Sequence, residues 1–208
     1  MEVEAKALSR SPRKTGRPLS FDRDAALEQA MLAFWRSGYE TTSIVDLTTA
    51  MGVTAPSLYS AFGDKKRLFI EAVRRYAGDP DAMAKRIEDA PTAYDAARDM
   101  LSASVAAFTA DATPKGCLLA SSTASGSADS HDVQRIVADI RSAIAANLQA
   151  RIVRDIELRM LPIDADASAL SGLVIAIIQG MSVLARDGCS NEKLSAIAKC
   201  ALAAWPRL

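Results

Sequence analysis

The chain has 208 residues, half of them hydrophobic and 24% charged, a balance that suits a globular protein with a sizeable core. Its net charge is zero, so the whole-chain charge argues for no partner, but residues 1–77 carry 12 Lys/Arg against 9 Asp/Glu and residues 78–208 carry 13 against 16. Three cysteines without CxxC spacing and a single histidine, His131, exclude zinc-site and haem-attachment patterns, argue against a disulfide framework, and fit a reducing cytoplasm.

Residues 1–20 are polar and basic, with Pro12, Gly16 and Pro18, and read as a flexible arm. Four basic residues and no acid lie between Arg10 and Arg17, which suggests a local polyanion contact. The opening residues lack the apolar run of a signal peptide, so a cytoplasmic protein is expected.

Asp22 then caps a first helix that runs to Gly38, with Leu27, Met31, Phe34 and Trp35 on one face. Thr42 is the expected cap of a second helix, with Ile44, Leu47 and Met51 inward and Gly52 as its stop. Thr54 caps a very short third helix, in which Leu58 and Phe62 point inward and Pro56 sits harmlessly in the first turn. Gly63-Asp64 restarts the chain into a fourth helix with Leu68, Phe69, Ala72, Val73 and Tyr76 in register, and Gly78-Asp79-Pro80 ends the block.

No segment shows convincing period-two alternation, so no sheet is expected. Helical patterns continue at 81–90 and 92–110, followed by a break at 113–116 and a short helix in CLLASSTAS. A turn, GSADSH, leads into a long stripe from Val133 to Ile156 that is expected to end at Pro162. The next helix is apolar from Ala167 to Ala185, with Gly188 as its expected cap, and a last helix covers 191–204. The run from Ala167 is nearly long enough to span a bilayer. Ser168, Ser171, Gln179 and Ser182 interrupt it, and Asp164, Asp166, Arg186 and Asp187 flank it, so a helix buried in a core or an interface is expected and no membrane contact. The fold class is therefore all-α: a small four-helix unit at 21–78, then a larger helical bundle at 79–208.

The stretch TTSIVDLTTAMGVTAPSLYSAFGDKKRLF, from Thr41 to Phe69, holds two helices of about eight residues joined by a Gly-containing turn, which is a helix-turn-helix. The second helix of that motif enters the DNA major groove. Its outward residues here are short: Thr54, Ala55, Ser57, Ser60 and Ala61. Short side chains let the backbone approach the bases, Ser and Thr bond several base edges, and a methyl packs on thymine. Helix starts present free N–H groups to phosphate, so Thr42 and Ser43 suit one strand. The Tyr59 hydroxyl and the Lys65 ammonium add phosphate contacts.

Over Phe21 to Tyr76 this pattern resembles the N-terminal domain of the tetracycline-repressor (TetR) family of bacterial transcription regulators. The resemblance rests on Gly38-Tyr39, Thr42, Ile44/Leu47, Gly52-Val53, Ser57-Leu58-Tyr59, Phe62, Lys65 and Leu68-Phe69. It implies an N-terminal helix-turn-helix domain followed by a ligand-binding and dimerisation domain. It further implies a homodimer on a palindromic operator, double-stranded DNA released when a small molecule binds. By position, Thr42, Ser43, Tyr59 and Lys65 would meet phosphates, and Thr54, Ala55, Pro56 and Ser57 would sit at base edges. Pro56 departs from the commoner Gly or Ala of the family, so base preferences do not transfer. Arg17 of the arm would enter the flanking minor groove.

In the family the last two long helices pair with their copies. That implies an interface through Ile140, Ile144, Val174, Ile177, Ile178 and Met181, with Gly172 and Gly180 allowing close approach. Plain intrachain core is the alternative. A pocket between the helices of 80–160 would be lined by Tyr76, Met83, Tyr94, Met100, Phe108, Cys117 and Ser121. Few charges fall on the inward faces, which favours a largely apolar effector.

Three rival readings carry less weight. Cys117 follows Lys115-Gly116 at a helix start, a setting that lowers a thiol pKa and would suit a thiol-based sensor. An enzyme is disfavoured, because there is no nucleophile elbow, no Gly-rich phosphate loop and no metal spacing, and no cofactor is expected. A helical adaptor for proteins would share the bundle but would need neither the basic arm nor the polar start of the third helix.

Overall fold

The computed structural model describes residues 21–121 and 131–206. Arg17 and the rest of the basic arm, and the expected turn at 126–130, lie outside the described residues. Ten helices and no strand are present among those described. Each of the first helices begins at an acceptor side chain and ends at a glycine. Helix α1 (Arg23–Ser37) starts at Asp22, whose carboxylate accepts from the backbone N–H groups of Asp24 and Ala25, and stops at Gly38 with φ 86°.

Helix α2 (Ile44–Met51) is capped by Ser43, not by Thr42. The Ser43 hydroxyl accepts from Asp46 N–H at 3.1 Å while the Asp46 carboxylate accepts from Ser43 N–H at 2.8 Å. Thr42 is turned inward instead: it is 2% exposed and its hydroxyl donates to the Gly38 carbonyl at 2.6 Å. Two adjacent hydroxyl residues compete for a cap, and the one whose oxygen is already committed inward loses. Helix α3 (Ala55–Phe62) starts at Thr54 and α4 (Lys65–Ala77) at Asp64.

Helices α1 and α4 pack on each other around Phe34, Phe69 and Tyr39, whose rings lie 4.9 to 6.2 Å apart. Leu47 of α2 and Leu58 of α3 are fully buried against them. Outside this core, Arg23 bridges to Glu71 and Arg75 to Glu28. These pairs are partly exposed and contribute little beyond register.

The rest of the described chain is α5 (Pro80–Asp89), α6 (Ala93–Thr109), the single turn α7 (Leu118–Ser121), α8 (His131–Glu157), α9 (Ala167–Arg186) and α10 (Asn191–Ala203). Helix α8 ends well before Pro162, because Arg159 takes a left-handed φ of 57° and Met160 N–H bonds back to Asp155. Asp187 caps α9 and Gly188, at φ 87°, is the left-handed residue after it.

A buried ion pair ties α8 to the α5–α6 connection. Arg151 and Asp155 meet at 3.0 Å, and Arg151 also donates to the carbonyls of Glu88 and Pro91. Asp155 in turn accepts from Ala93 N–H at the start of α6, at 2.6 Å.

Helix α9 packs on α6, α7, α8 and α10. By length and composition it is apolar enough to cross a membrane. Its inward face differs from the expected one. Val174 and Met181 are buried inside the chain, at 4% and 1% exposure, while Ile140 and Ile177 pack half-buried on the core. The face left outward carries Ala169, Gly172, Leu173, Ala176, Gly180 and Val183, spaced by threes and fours without a charge. A helix apolar nearly all round has no sequence marker for its outer side, and packing against four neighbours decided it.

Candidate nucleic-acid interface and interior cavity

The turn between α2 and α3 is set by Gly52, which holds φ 65°, ψ 32° and donates to Thr48 and Thr49 carbonyls. Thr54 then accepts from Ser57 N–H, and the two hydroxyls lie 2.9 Å apart. This fixes the start of α3 with Thr54, Pro56, Tyr59 and Ser60 exposed, and Ala55 and Ser57 half-exposed. Leu58 and Phe62 anchor the other side of the helix in the core. Ser43 and the α2 start are exposed beside it, together with Val45, which is 71% exposed and was not among the expected contacts. Of the expected contacts within the described residues, Thr42 alone has its side chain buried.

Lys65 lies at the start of α4, with its ammonium 4.7 Å above the Tyr39 ring and donating to the Glu40 carbonyl at 3.3 Å. Partial desolvation lowers its pKa, and the Glu40 charge opposes that. The cation is thus held in place by an aromatic residue that the helical pattern did not mark as functional. In Asp46 the hydrogen bonds from Ser43, side chain first and backbone second, lower the carboxyl pKa.

A cavity of about 860 Å³ lies under the junction of the two helical units. Tyr76, Met83, Met100, Phe108 and Cys117 line it, as expected. Tyr94 does not: it is 37% exposed and stacks edge-on against Trp205 at 6.2 Å. Ser121 is also absent from the lining, and its hydroxyl donates to the Leu118 carbonyl. Both sit on helices whose turn carries them to other faces.

The cavity adds residues that the helical pattern had assigned elsewhere. Trp35 reaches it from the end of α1, and Ile144 and Ile178, expected at a dimer face, line it instead, with Arg141 and Gln179. Tyr76 is half-buried there; burial and the adjoining Cys117 push its phenol pKa up, so it stays neutral. Cys117 is 8% exposed, and its N–H donates to Ser182 Oγ at 2.8 Å. The Lys115 ammonium is engaged by Thr109, Ala110 and Asp111, so it is directed away from the thiol that it was expected to activate.

The cavity wall is also the joint between the two units. Trp35 Nε1 donates to the Gly116 carbonyl at 3.2 Å, Arg186 donates to the Trp35 carbonyl at 2.6 Å, and Lys66 pairs with Asp132. Among the described residues no group of His, Cys, Asp and Glu is placed to hold a metal ion.

Comparison with known proteins bears on this arrangement directly. The family model for bacterial regulatory proteins of the tetR family matches residues 26–72, which run from α1 through α4. The HTH-type transcriptional repressor ComR of Escherichia coli (strain K12) is 37% identical over 93% of this chain and 93% of its own. The chain belongs to the tetR family. The same organism's HTH-type transcriptional repressor BdcR is 26% identical over 91% of each chain. A cysteine mutant of the TetR family transcriptional regulator CifR, solved with 26 bp double-strand operator DNA, superposes with a TM-score of 0.85 at 37% identity, covering 92% of this chain and 100% of that one. This tetR-family chain is thus a DNA-binding transcriptional regulator, not an enzyme, with an N-terminal helix-turn-helix domain and a helical C-terminal domain.

Proposed function

We propose that the protein is a cytoplasmic repressor that binds a palindromic operator as a homodimer and is released by a small molecule taken into the cavity. The observation that carries the reading is the outward face of α3. Short side chains on a doubly capped helix stand exposed, flanked by Ser43, Tyr59 and Lys65 at phosphate-contact positions. Thr54, Ala55, Pro56 and Ser57 are assigned to base edges, and Arg17 to the flanking minor groove. Thr42 supports this interface from within, by fixing the chain entering α2 through its bond to Gly38.

The uncharged outward stripe of α9 supports the homodimer, since a methyl added at Gly172 or Gly180 would meet no other part of the chain within 4 Å, which leaves room for a second helix. The cavity supports the effector: its volume is within the range of about 300–1,000 Å³ typical of small-molecule sites. A ligand there acts on the operator only through a difference in affinity between two dimer geometries. One of these places the reading helices in successive major grooves, roughly 34 Å apart.

The test is selection of bound sequences from a random double-stranded DNA pool with purified protein at near-physiological salt. An enriched palindrome is expected. Retention without enrichment that vanishes as salt rises would sink the reading.

A further inference from the structure

The cavity walls are apolar over most of their extent, yet one cation is built into them. Lys85, Arg86, Asp89 and Asp99 contribute to the lining but are exposed, and Lys85 and Asp99 are each in an ion pair, with Asp89 and Arg98. Arg141, on α8, is different. It is half-buried, and its guanidinium meets no carboxylate within ion-pair distance among the described residues. Among the described residues it donates to the Leu119 carbonyl at 3.0 Å, which uses one of five donors. Desolvation lowers its pKa and the nearby Cys117 opposes that, but a guanidinium stays protonated throughout the physiological range. An arginine held partly out of water, with no anion among the described residues, is a fork for a carboxylate that none of those residues supplies.

We infer that the cavity takes an amphipathic anion, a small carboxylate with an apolar body, whose head is bound by Arg141 and whose tail lies among Met100, Phe108, Ile144 and Ile178. The inference rests on the reading of this cavity as the effector site and narrows the expectation of a largely apolar effector. Gln179, a neutral polar residue of the lining, supplies a further donor near the apolar walls, whereas the Ser104 hydroxyl is already donated to the Met100 carbonyl at 2.8 Å.

Decanoate, 1-decanol and decylammonium serve as probes of one chain length and three head charges. Binding is followed through Trp35 fluorescence, since its indole lines the cavity, and release through an operator duplex in the same samples. In a merely apolar cavity decanol would bind best, because its head is the least costly to desolvate. With the site as inferred, decanoate binds at least about tenfold more tightly than decanol at about pH 8. Arg141→Gln abolishes that preference, and its unchanged operator binding without ligand shows that the variant is folded; Arg141→Lys restores part of the preference. Equal binding of decanoate and decanol, or a preference that survives Arg141→Gln, overturns the inference while leaving the cavity as an effector site. No binding by any of the three overturns both the inference and the effector cavity, and operator binding in those samples would keep the DNA reading separate.

Discussion

At the scale of single residues, the proposed interface on α3 divides into groups assigned to DNA contact and groups that hold them in place. Tyr59 is 47% exposed, and its ring has no role in the core. Tyr59→Phe removes only a hydroxyl. It is expected to weaken operator binding by about 1 kcal/mol, roughly fivefold, with the thermal transition unchanged. Lys65→Ala removes a charge, so it should weaken all sequences alike and reduce the slope of log affinity against log salt by about 0.9. A titration series in salt separates the two effects, and an unchanged slope would remove Lys65 from the phosphate contacts. Asp155 is a residue of the opposite kind, 1% exposed and bound to both Arg151 and the start of α6. Asp155→Asn leaves a buried guanidinium without its anion and should lower stability by about 3 kcal/mol in urea unfolding, with no direct loss of operator contacts.

At the scale of elements, capping makes α2 sensitive to acid. The bonds between Ser43 and Asp46 hold the Asp46 carboxyl below its usual value of 3.8, and the group is fully exposed. A carboxyl whose pKa is depressed by folding stabilises above its unfolded value, and that contribution is lost as pH falls through the folded one. Protection of the amides at the start of α2, relative to their intrinsic exchange rates, should therefore fall below about pH 4. Asp46→Asn should show low protection already at neutral pH and lose this dependence; equal pH dependence in the variant would show that the cap is not its source.

Helix α9 tests its outward stripe in a similar way. Leu173→Asp, at a site 40% exposed, should give a monomer by light scattering with helical content retained and operator affinity reduced at least about tenfold. Gly180→Ala decides between solvent and a partner. An exposed helical glycine replaced by alanine stabilises by up to about 1 kcal/mol, whereas one pressed on a second helix is destabilised by the added methyl. A raised melting temperature for Gly180→Ala would place solvent, not a second subunit, against this face.

At the scale of the whole molecule, the joint between the two units lies where the cavity wall, the 110–117 connection and the end of α9 meet. Gly116 is held at φ 78°, and a methyl there would lie 2.7 Å from the Ser182 carbonyl oxygen. Gly116→Ala should lower stability by about 1–3 kcal/mol. It should also change operator affinity, since Gly116 receives the Trp35 indole hydrogen bond from the DNA-binding unit. A stability loss with unaltered operator binding and release would mean that this joint does not transmit the effector signal.

The local features of this protein are legible in its sequence because they are written within a few residues of one another. Asp22, Thr54, Asp64 and the turn glycine Gly52 set helix limits through bonds to neighbours two to four positions away, and the small exposed residues of α3 follow from the helical period alone. Hence the all-α class and the helix-turn-helix are readable from the order of residues, and so are five of the seven expected cavity residues. Thr42 was withdrawn from the α2 cap by a bond as local as the caps themselves, to the Gly38 carbonyl four residues back, where two neighbouring hydroxyls read alike in the sequence. Contacts between distant segments decided the rest: Tyr94 was turned towards Trp205. Ile144 and Ile178 went to the cavity while Leu173 and Gly180 stayed outside, although the helix pattern marks all four as equally apolar or small. Arg141 carried no sequence signal, since a charged residue on a long helix ordinarily faces water. Only the packing of α9 against α8, with Leu119 of α7 at hydrogen-bond distance, placed its guanidinium at an apolar wall where no described residue supplies a counter-ion. Backbone bonding is local, so the chain determined its helices by itself; the choice of which side of each helix is buried belongs to the sum of long-range packing, and that sum exists only in the folded molecule.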